Sequence, residues 1–173
     1  MSSEKQYIEL YEQCREMIFE HSSDVMNAQR DAAFERFNQG GFPTRKVERY
    51  KYTDIQKIFE PDYGLNLNRL EIPVNPYDAF RCDVPNMSTS LYFVVNDAFY
   101  TKALPKGNLP EGVIIGSLKE NSSHLYNILA AKDADAVTDL NTMLAQDGLY
   151  VYVPKGVVVT RAIQVINILR SDV

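Results

Sequence analysis

The chain has 173 residues, of which 45% are hydrophobic and 24% charged, a composition typical of a soluble globular protein that buries its own core. Its formal net charge of -5 argues against general binding to nucleic acid or to an anionic membrane, although a local basic patch remains compatible with either. No apolar run is long enough to span a bilayer, and the polar, acidic start lacks the features of a secretory signal. The two isolated cysteines, Cys14 and Cys82, indicate a reducing cytoplasm rather than a disulfide framework.

The first part of the chain predicts two helices. Residues 4–21 carry apolar residues at spacings of three and four, and Ser3 with Gln6 forms a capping-box pattern before them. The second helix is predicted over residues 28–38. We expect it to end at the glycine pair that begins with Gly40, since glycine readily adopts the left-handed conformation that closes a helix.

A basic-aromatic segment, residues 45–57, contrasts with this acidic chain. Its cations are Arg45, Lys46, Arg49, Lys51 and Lys57, its tyrosines are Tyr50 and Tyr52, and its acidic residues are Glu48 and Asp54. Thr53 followed by Gln56 predicts the start of a short helix. Alternation in an extended approach to that helix places both tyrosines on the core and the cations in water.

The basic-aromatic segment has two interpretations. As a nucleic-acid or phosphate-binding site it needs aromatic faces that are free to stack and cations that point at phosphates. As a structural joint it needs buried tyrosines and solvated or paired cations. The acidity of the whole chain and the capping pattern at Thr53 favour the joint.

The middle of the chain predicts mostly short elements. Residues 61–90 read as irregular chain, and "LYFVVNDAFY" predicts two strands joined by a turn at Asn96-Asp97. "GVIIGSLKE" predicts a short buried strand followed by a helix that Ser117 caps.

Two further helical segments are predicted before the final strands. The helix after Ser117 is expected to break at residues 121–123 and to restart toward residues 125–129. Another helix is predicted over residues 134–146, with Gly148 closing it.

The final segment, "LYVYVPKGVVVTRAIQVINIL", predicts closely spaced short strands. Hairpins, a barrel edge and the first rungs of a β-solenoid all remain compatible with it. Because the chain ends beside an apolar strand, we expect it to be a fragment or to need another subunit over its last strands, with self-association through those exposed strands as a further outcome.

The sequence contains few residue patterns that are typical of catalytic or metal-binding sites. His21 and His124 lie in no ligand-spaced cluster, and "DADAVTD" lacks the register of a calcium-binding loop. Cys82 follows Arg81, but no base accompanies it, so an unreactive thiol is favoured. We therefore predict no catalytic residue and no metal site. A small hydrolase with an unrecognised site is the remaining alternative, although no base stands near a nucleophile.

Several segments together resemble the SufB/SufD family of Suf iron–sulfur cluster assembly proteins, and its SufD branch in particular. They are "GFPTRKVERYKYTDI", "LYFVVNDAFY", "LPEGVIIGSLKE" and "AQDGLYVYVPKGVVVTRAIQVINIL". The family-motif residues, which are also candidate contact residues, are Arg45, Lys46, Glu48, Tyr50, Lys51, Tyr52 and Thr53. The chain departs from the family in having Tyr50 where tryptophan is common, Asp97 where glycine is common, and a much shorter length.

The resemblance implies an α+β fold, with an N-terminal helical domain that carries a few short strands (residues 1–146) followed by the first strands of a β-helix (residues 147–173). It implies a scaffold with SufB-like and SufC-like partners and no enzymatic activity of its own. Iron–sulfur clusters and ATP would be handled only by the assembled complex, in the cytoplasm, with no membrane and no nucleic acid involved. The alternative function is the nucleic-acid or phosphate-binding module on residues 45–57.

Overall fold

The computed structural model describes residues 3–71, 73–79, 89–130 and 134–169. The described residues form two compact units, one within Met1–Arg69 and Ser122–Gln146 and the other within Leu70–Asn121 and Asp147–Val173. Long helices come first and short strands later, which confirms the predicted α+β class. The predicted domains, 1–146 and 147–173, stay a prediction. Within the described ranges, no helix has both the length and the apolar character needed to cross a bilayer.

The elements are numbered in chain order. The helices are α1 (Ser3–Glu20), α2 (Asp24–Gly40), α3 (Ile55–Ile58), α4 (Pro76–Ala79), α5 (Leu118–Asn121) and α6 (Ala136–Leu144), with a 3₁₀ turn at Glu48–Tyr50. The strands are β1 (Thr89–Val95), β2 (Ala98–Phe99), β3 (Ile114–Ser117), β4 (Leu149–Tyr152) and β5 (Ala162–Ile168). Helices α1, α2, α3 and α6 belong to the first unit, and all the strands belong to the second.

The first unit is built around an apolar core between its helices. The buried members are Tyr7, Tyr11, Ile18, Phe37, Phe42, Ile55, Leu67, Leu140 and Met143. Phe42 stacks on Phe59 with ring centroids 4.9 Å apart and meets Phe37 edge-on at 5.1 Å. The prediction made from the apolar spacing of α1 is therefore confirmed, because one face of the helix is buried against the other helices.

The ends of α1 and α2 refine the predicted boundaries. Ser3 lies inside α1, so its predicted role as the cap is wrong. Helix α2 begins at residue 24 rather than 28, because the Ser23 hydroxyl caps it by accepting a hydrogen bond from the Met26 N–H at 3.3 Å. Its predicted end is confirmed. Gly41 adopts a φ of 60°, and its N–H donates to the Phe37 carbonyl at 2.8 Å.

The second unit contains two small sheets. Strand β1 pairs antiparallel with β2, and the turn between them carries positive φ angles at Asn96 (42°) and Asp97 (68°), which confirms the predicted hairpin. On its other side β1 pairs in parallel with β5, so the sheet order is β2-β1-β5. Strands β3 and β4 form a separate antiparallel pair. The two final strands thus lie in different sheets, and the continuation into a β-helix stays a prediction.

Asp147 joins several elements of the second unit. Its carboxylate accepts hydrogen bonds from the Ser117 hydroxyl at 2.7 Å, the Lys119 N–H at 3.0 Å and the Phe99 N–H at 3.1 Å. Ser117 in turn accepts from the Glu120 N–H at 3.2 Å, as the capping pattern predicts. One carboxylate thereby fixes β2 and the start of α5 together.

Two predictions for residues 121–148 are wrong. Helix α5 ends at Asn121 as expected, but residues 124–129 form turns instead of a new helix, because Asn127 takes a φ of 61°. Helix α6 ends at Leu144, because the next residue, Ala145, has an extended conformation (φ -61°, ψ 129°), so Gly148 does not close the helix.

Candidate functional site

The basic-aromatic segment forms one face of the first unit. Its middle is the 3₁₀ turn Glu48–Tyr50, and a further turn follows in which the Thr53 N–H donates to the Tyr50 carbonyl at 2.9 Å. The predicted extended approach with alternating sides is therefore wrong. Of the seven predicted contact residues, Tyr50 is half-buried and six are exposed: Arg45, Lys46, Glu48, Lys51, Tyr52 and Thr53.

Tyr50 attaches this face to helix α6. Its ring packs against the core of the first unit, and its hydroxyl donates a hydrogen bond to the carboxylate of Asp135. Asp135 is the N-cap of α6, where it accepts from the Thr138 N–H at 3.0 Å and the Thr138 hydroxyl at 3.1 Å. The predicted structural joint is thus present at Tyr50, with a partner that lies 85 residues away along the chain.

The carboxyl group of Asp135 at this joint is stabilised in its ionised form. Partial burial alone would raise the pKa of Asp135, but the hydrogen bonds from Tyr50 and Thr138 and the nearby Arg49 guanidinium outweigh it and lower that pKa. The bond to Asp135 and the partial burial raise the pKa of Tyr50, so its hydroxyl remains a donor. Arg49 approaches the carboxylate to 3.3 Å while its own side chain stays 68% exposed.

Two of the four remaining cations of the segment have acidic neighbours. Arg45 lies 3.4 Å from the Asp54 carboxylate, and Lys51 lies 3.8 Å from that of Glu48. These pairs are exposed, and pairs of this kind contribute little to stability. Their effect is electrostatic, since they balance much of the positive charge that the sequence concentrates in this segment.

Tyr52 points away from the protein. Its side chain is 91% exposed, so the prediction that it docks on the core is wrong, because the turn after Tyr50 replaces the expected alternation. The ammonium group of Lys51 lies 5.6 Å from the centre of its ring. An exposed aromatic ring flanked by long side chains suits contact with another macromolecule, since tyrosine offers a large rigid surface and a polar end.

Helix α3 begins one residue later than predicted. Asp54, not Thr53, is its N-cap, and the Asp54 carboxylate accepts from the Lys57 N–H at 3.1 Å. Gln56 does not complete a capping box, because its amide donates to the carboxylate of Glu4 at 3.0 Å. An aspartate adjacent to the threonine was an equally good cap in the sequence.

Arg30 is the residue that the sequence reasoning missed. It is fully buried, and its guanidinium donates to three carbonyl oxygens at the end of α6, those of Thr142 (3.1 Å), Met143 (3.0 Å) and Ala145 (2.6 Å). Burial lowers the pKa of Arg30. Its position in the buried stripe of α2, four residues after Met26 and seven before Phe37, was the available signal.

Potential metal ligands are dispersed. In the ranges that the structure describes, no three histidine, cysteine or acidic side chains gather as a metal would need. His21 lies within 3.1 Å of the Leu67 carbonyl, and His124 is exposed. Cys14 packs against the core of the first unit, and Cys82 lies outside the described residues.

Comparison with known proteins gives one match. Residues 1–165 match the family model described as the SufBD protein N-terminal region. No curated protein matches the chain. The match covers both units, including the basic-aromatic segment and all five strands up to residue 165.

Proposed function

We propose that this chain, which belongs to the SufBD family, contributes protein contacts to the assembly of iron–sulfur clusters. The observation that carries this function is the match to the SufBD protein N-terminal region over residues 1–165. Family membership supports a role in iron–sulfur cluster assembly and the presence of protein partners. It supports a scaffold more than an enzyme, because the proteins of this family act as scaffolds.

The finer assignment is to the SufD branch. The chain then works in the cytoplasm as a positioning region, without catalysis of its own. Its partners are SufB-like and SufC-like subunits, and clusters and ATP are handled by the assembled complex. Residues from 147 onward begin a β-helix, which the parallel pairing of β1 with β5 favours, since stacked parallel strands are the repeating element of such a fold.

The basic-aromatic segment is the contact face that we assign to the first unit. Tyr50 holds it against α6 through Asp135, so the segment is fixed before any partner arrives. Tyr52 then projects from this fixed base with its ring exposed. Preorganisation of this kind lowers the entropic cost of association, and an exposed tyrosine is a common anchor at protein interfaces.

The ion pairs of this face favour a protein partner over nucleic acid. Arg45, Arg49 and Lys51 already have carboxylates within 4 Å, which leaves little unbalanced charge for a phosphate backbone. Nucleic-acid binding depends mainly on such unbalanced charge. A protein surface can instead use the same residues as a polar rim around Tyr52.

Co-purification tests this function. The chain is tagged and expressed with SufB-like and SufC-like subunits, and association is measured together with the amount of iron–sulfur cluster that the assembly accumulates. We expect a stable complex and cluster formation that depends on the chain. If the chain associates with neither subunit, the assignment is wrong.

The contact face is tested separately with a matched pair of variants. Tyr52→Ala removes the exposed ring of the segment, and Tyr63→Ala removes another exposed tyrosine of the same unit. We expect Tyr52→Ala to weaken association with the partner and Tyr63→Ala to leave it unchanged. If both variants associate equally well with the partner, the contact face does not include Tyr52. The proposed scaffold function would be unaffected by that result.

A further inference from the structure

The second unit contains a cavity of about 300 Å³ that the family assignment does not use. Its base is β1, from which Ser90 and Tyr92 face the cavity on the same side of the strand. One wall is the loop of residues 105–110, and the other is residues 159–161. This second wall leads directly into β5, whose first residue pairs with Thr89, so it lies beside the Ser90 end of β1. The volume is at the lower end of the range for small-molecule sites.

The lining of the cavity is basic. Lys106 comes from one wall and Arg161 from the other, and among the described residues no aspartate or glutamate belongs to the lining. The whole chain carries a formal charge of -5, so the local sign is opposite to the average. In the parts of the chain that the structure describes, neither cation has an ion-pair partner. Two cations that face one concave space attract an anion and raise its local concentration.

The same cavity presents a set of neutral polar groups. They are the hydroxyls of Ser90, Tyr92 and Thr160 and the amide of Asn108. Within the described ranges, none of these four side chains makes a hydrogen bond to the protein. For exposed side chains such as Asn108 and Thr160 this is ordinary, because water satisfies them. It is informative for Tyr92.

Tyr92 is an almost completely buried side chain whose hydroxyl has no hydrogen-bond partner among the residues that the structure describes. Only 6% of its surface is exposed, and its ring stacks against Phe99 with centroids 6.3 Å apart. In the described residues, every fully buried side-chain polar atom has a hydrogen-bond partner. Because the Tyr92 hydroxyl has none, it is not fully buried and still reaches solvent. Since Tyr92 lines the cavity, that access runs through the cavity. Burial raises the pKa of Tyr92, which keeps the hydroxyl protonated and able to donate.

We propose that this cavity is a binding site for a small molecule that carries a phosphate or carboxylate group. Lys106 and Arg161 hold the negative charge, and the Tyr92 hydroxyl donates a hydrogen bond to the same group. Arginine suits this role because its planar fork matches both kinds of oxyanion. The space exceeds what a single inorganic ion fills, so the remaining volume takes the body of the ligand, against Leu109 and Val159. This site is independent of the proposed contacts with Suf subunits.

Calorimetric titration of the full chain tests the site. Pyrophosphate and citrate are the probes, at low ionic strength, because they present phosphate and carboxylate oxyanions separately. Saturable binding of pyrophosphate alone assigns the phosphate class, that of citrate alone assigns the carboxylate class, and that of both assigns a general oxyanion site. Binding of neither probe would overturn the proposal.

Variants locate the binding. Arg161→Gln and Lys106→Gln each remove a lining charge from an exposed side chain, and we expect each to weaken binding about tenfold, as the loss of one charge-assisted hydrogen bond does. Lys155→Gln removes an exposed lysine of the same unit outside the lining and is the matched control. It is expected to bind like the unchanged chain. An equal loss in Lys155→Gln and Arg161→Gln would contradict a built site and indicate general charge attraction.

The hydroxyl of Tyr92 has its own test. Tyr92→Phe keeps the ring and its stacking on Phe99, so folding is retained and is checked by the melting temperature. We expect a loss of affinity for the bound probe without a change in the charge of the site. Unchanged affinity in a folded Tyr92→Phe variant would remove Tyr92 from the site.

Discussion

The guanidinium of Arg30 donates a hydrogen bond to the carbonyl oxygen of Met143 at 3.0 Å and so joins the buried face of α2 to the end of α6. The last carbonyls of a helix have no partner within the helix, and burying them without one is costly. Arg30 satisfies three of them. The bonds that Ser22 and Asn27 accept from the same guanidinium, at 2.7 and 2.9 Å, complete its surroundings.

Arg30→Met is expected to destabilise the chain strongly. The substitution keeps an apolar side chain in place but leaves buried carbonyl oxygens without donors, so we expect a loss of about 3 kcal/mol or more in the free energy of unfolding. Urea denaturation measures it. The control is Arg15→Met, which removes an exposed pair with Asp31 at 2.7 Å and should cost under about 1 kcal/mol. Similar losses in both variants would contradict the assigned role of Arg30.

Tyr50→Ala is expected to cost more stability than Arg49→Ala. Tyr50 loses packing against the core and its hydrogen bond to Asp135, for which we expect about 2 kcal/mol. Arg49 is mostly exposed and loses only a solvated ion pair, worth under about 1 kcal/mol. Thermal and urea denaturation compare the two. If the Arg49 variant proves the less stable, the joint rests on charge and not on the tyrosine.

The stability that Asp135 provides is expected to depend on pH. Its pKa is lower in the folded chain than the ordinary value of about 3.9, so the contribution is fully present above that value and is lost as the pH falls through the folded pKa. Asp135→Asn does not titrate. The difference in melting temperature between the unchanged chain and this variant should therefore be largest near neutral pH and shrink below about pH 4. A difference that stays constant down to pH 3 would argue against an ionised cap.

The sequence predicts local structure well where the determinants are local. The hairpin at Asn96-Asp97, the cap at Ser117 and the end of α2 at Gly41 each depend on residues within a few positions, and all three are confirmed. The wrong prediction for Tyr52, in contrast, involves long-range packing. The exposure of Tyr52 follows from the 3₁₀ turn that Tyr50 makes as it docks on α6, and no nearby residue signals this.

The two candidate sites also differ in whether their residues are neighbours along the chain. The basic-aromatic segment is visible as a contiguous run, so its residues were predicted, although their contact with Asp135 was not. The cavity brings together Ser90, Lys106 and Arg161, which are far apart along the chain and belong to no motif. The parallel pairing of β1 with β5 brings Ser90 and Arg161 to one space, and pairing between distant strands is not encoded in any local pattern.

Binding to nucleic acid is expected to be absent. With three of the five cations of the basic-aromatic segment already facing carboxylates, titration of RNA or single-stranded DNA at about 50 mM salt should give no measurable complex. Fluorescence anisotropy of labelled oligonucleotides measures this. Binding that weakens steeply as salt rises, and that is lost in an Arg45→Gln and Lys46→Gln double variant, would instead establish the basic-aromatic segment as a phosphate-binding surface.

Gly112→Ala is expected to destabilise the second unit more than Gly156→Ala. Both glycines adopt positive φ angles, 79° and 82°, so each alanine carries a backbone strain of about 1–2 kcal/mol. At Gly112 the added Cβ would also lie 2.9 Å from Cγ of Pro154, whereas at Gly156 it meets no atom within 4 Å. The difference in unfolding free energy between the two variants therefore isolates the cost of that close approach, for which we expect about 1 kcal/mol or more. Equal losses would mean that the Pro154 ring moves aside freely and that the packing of this loop does not depend on Gly112.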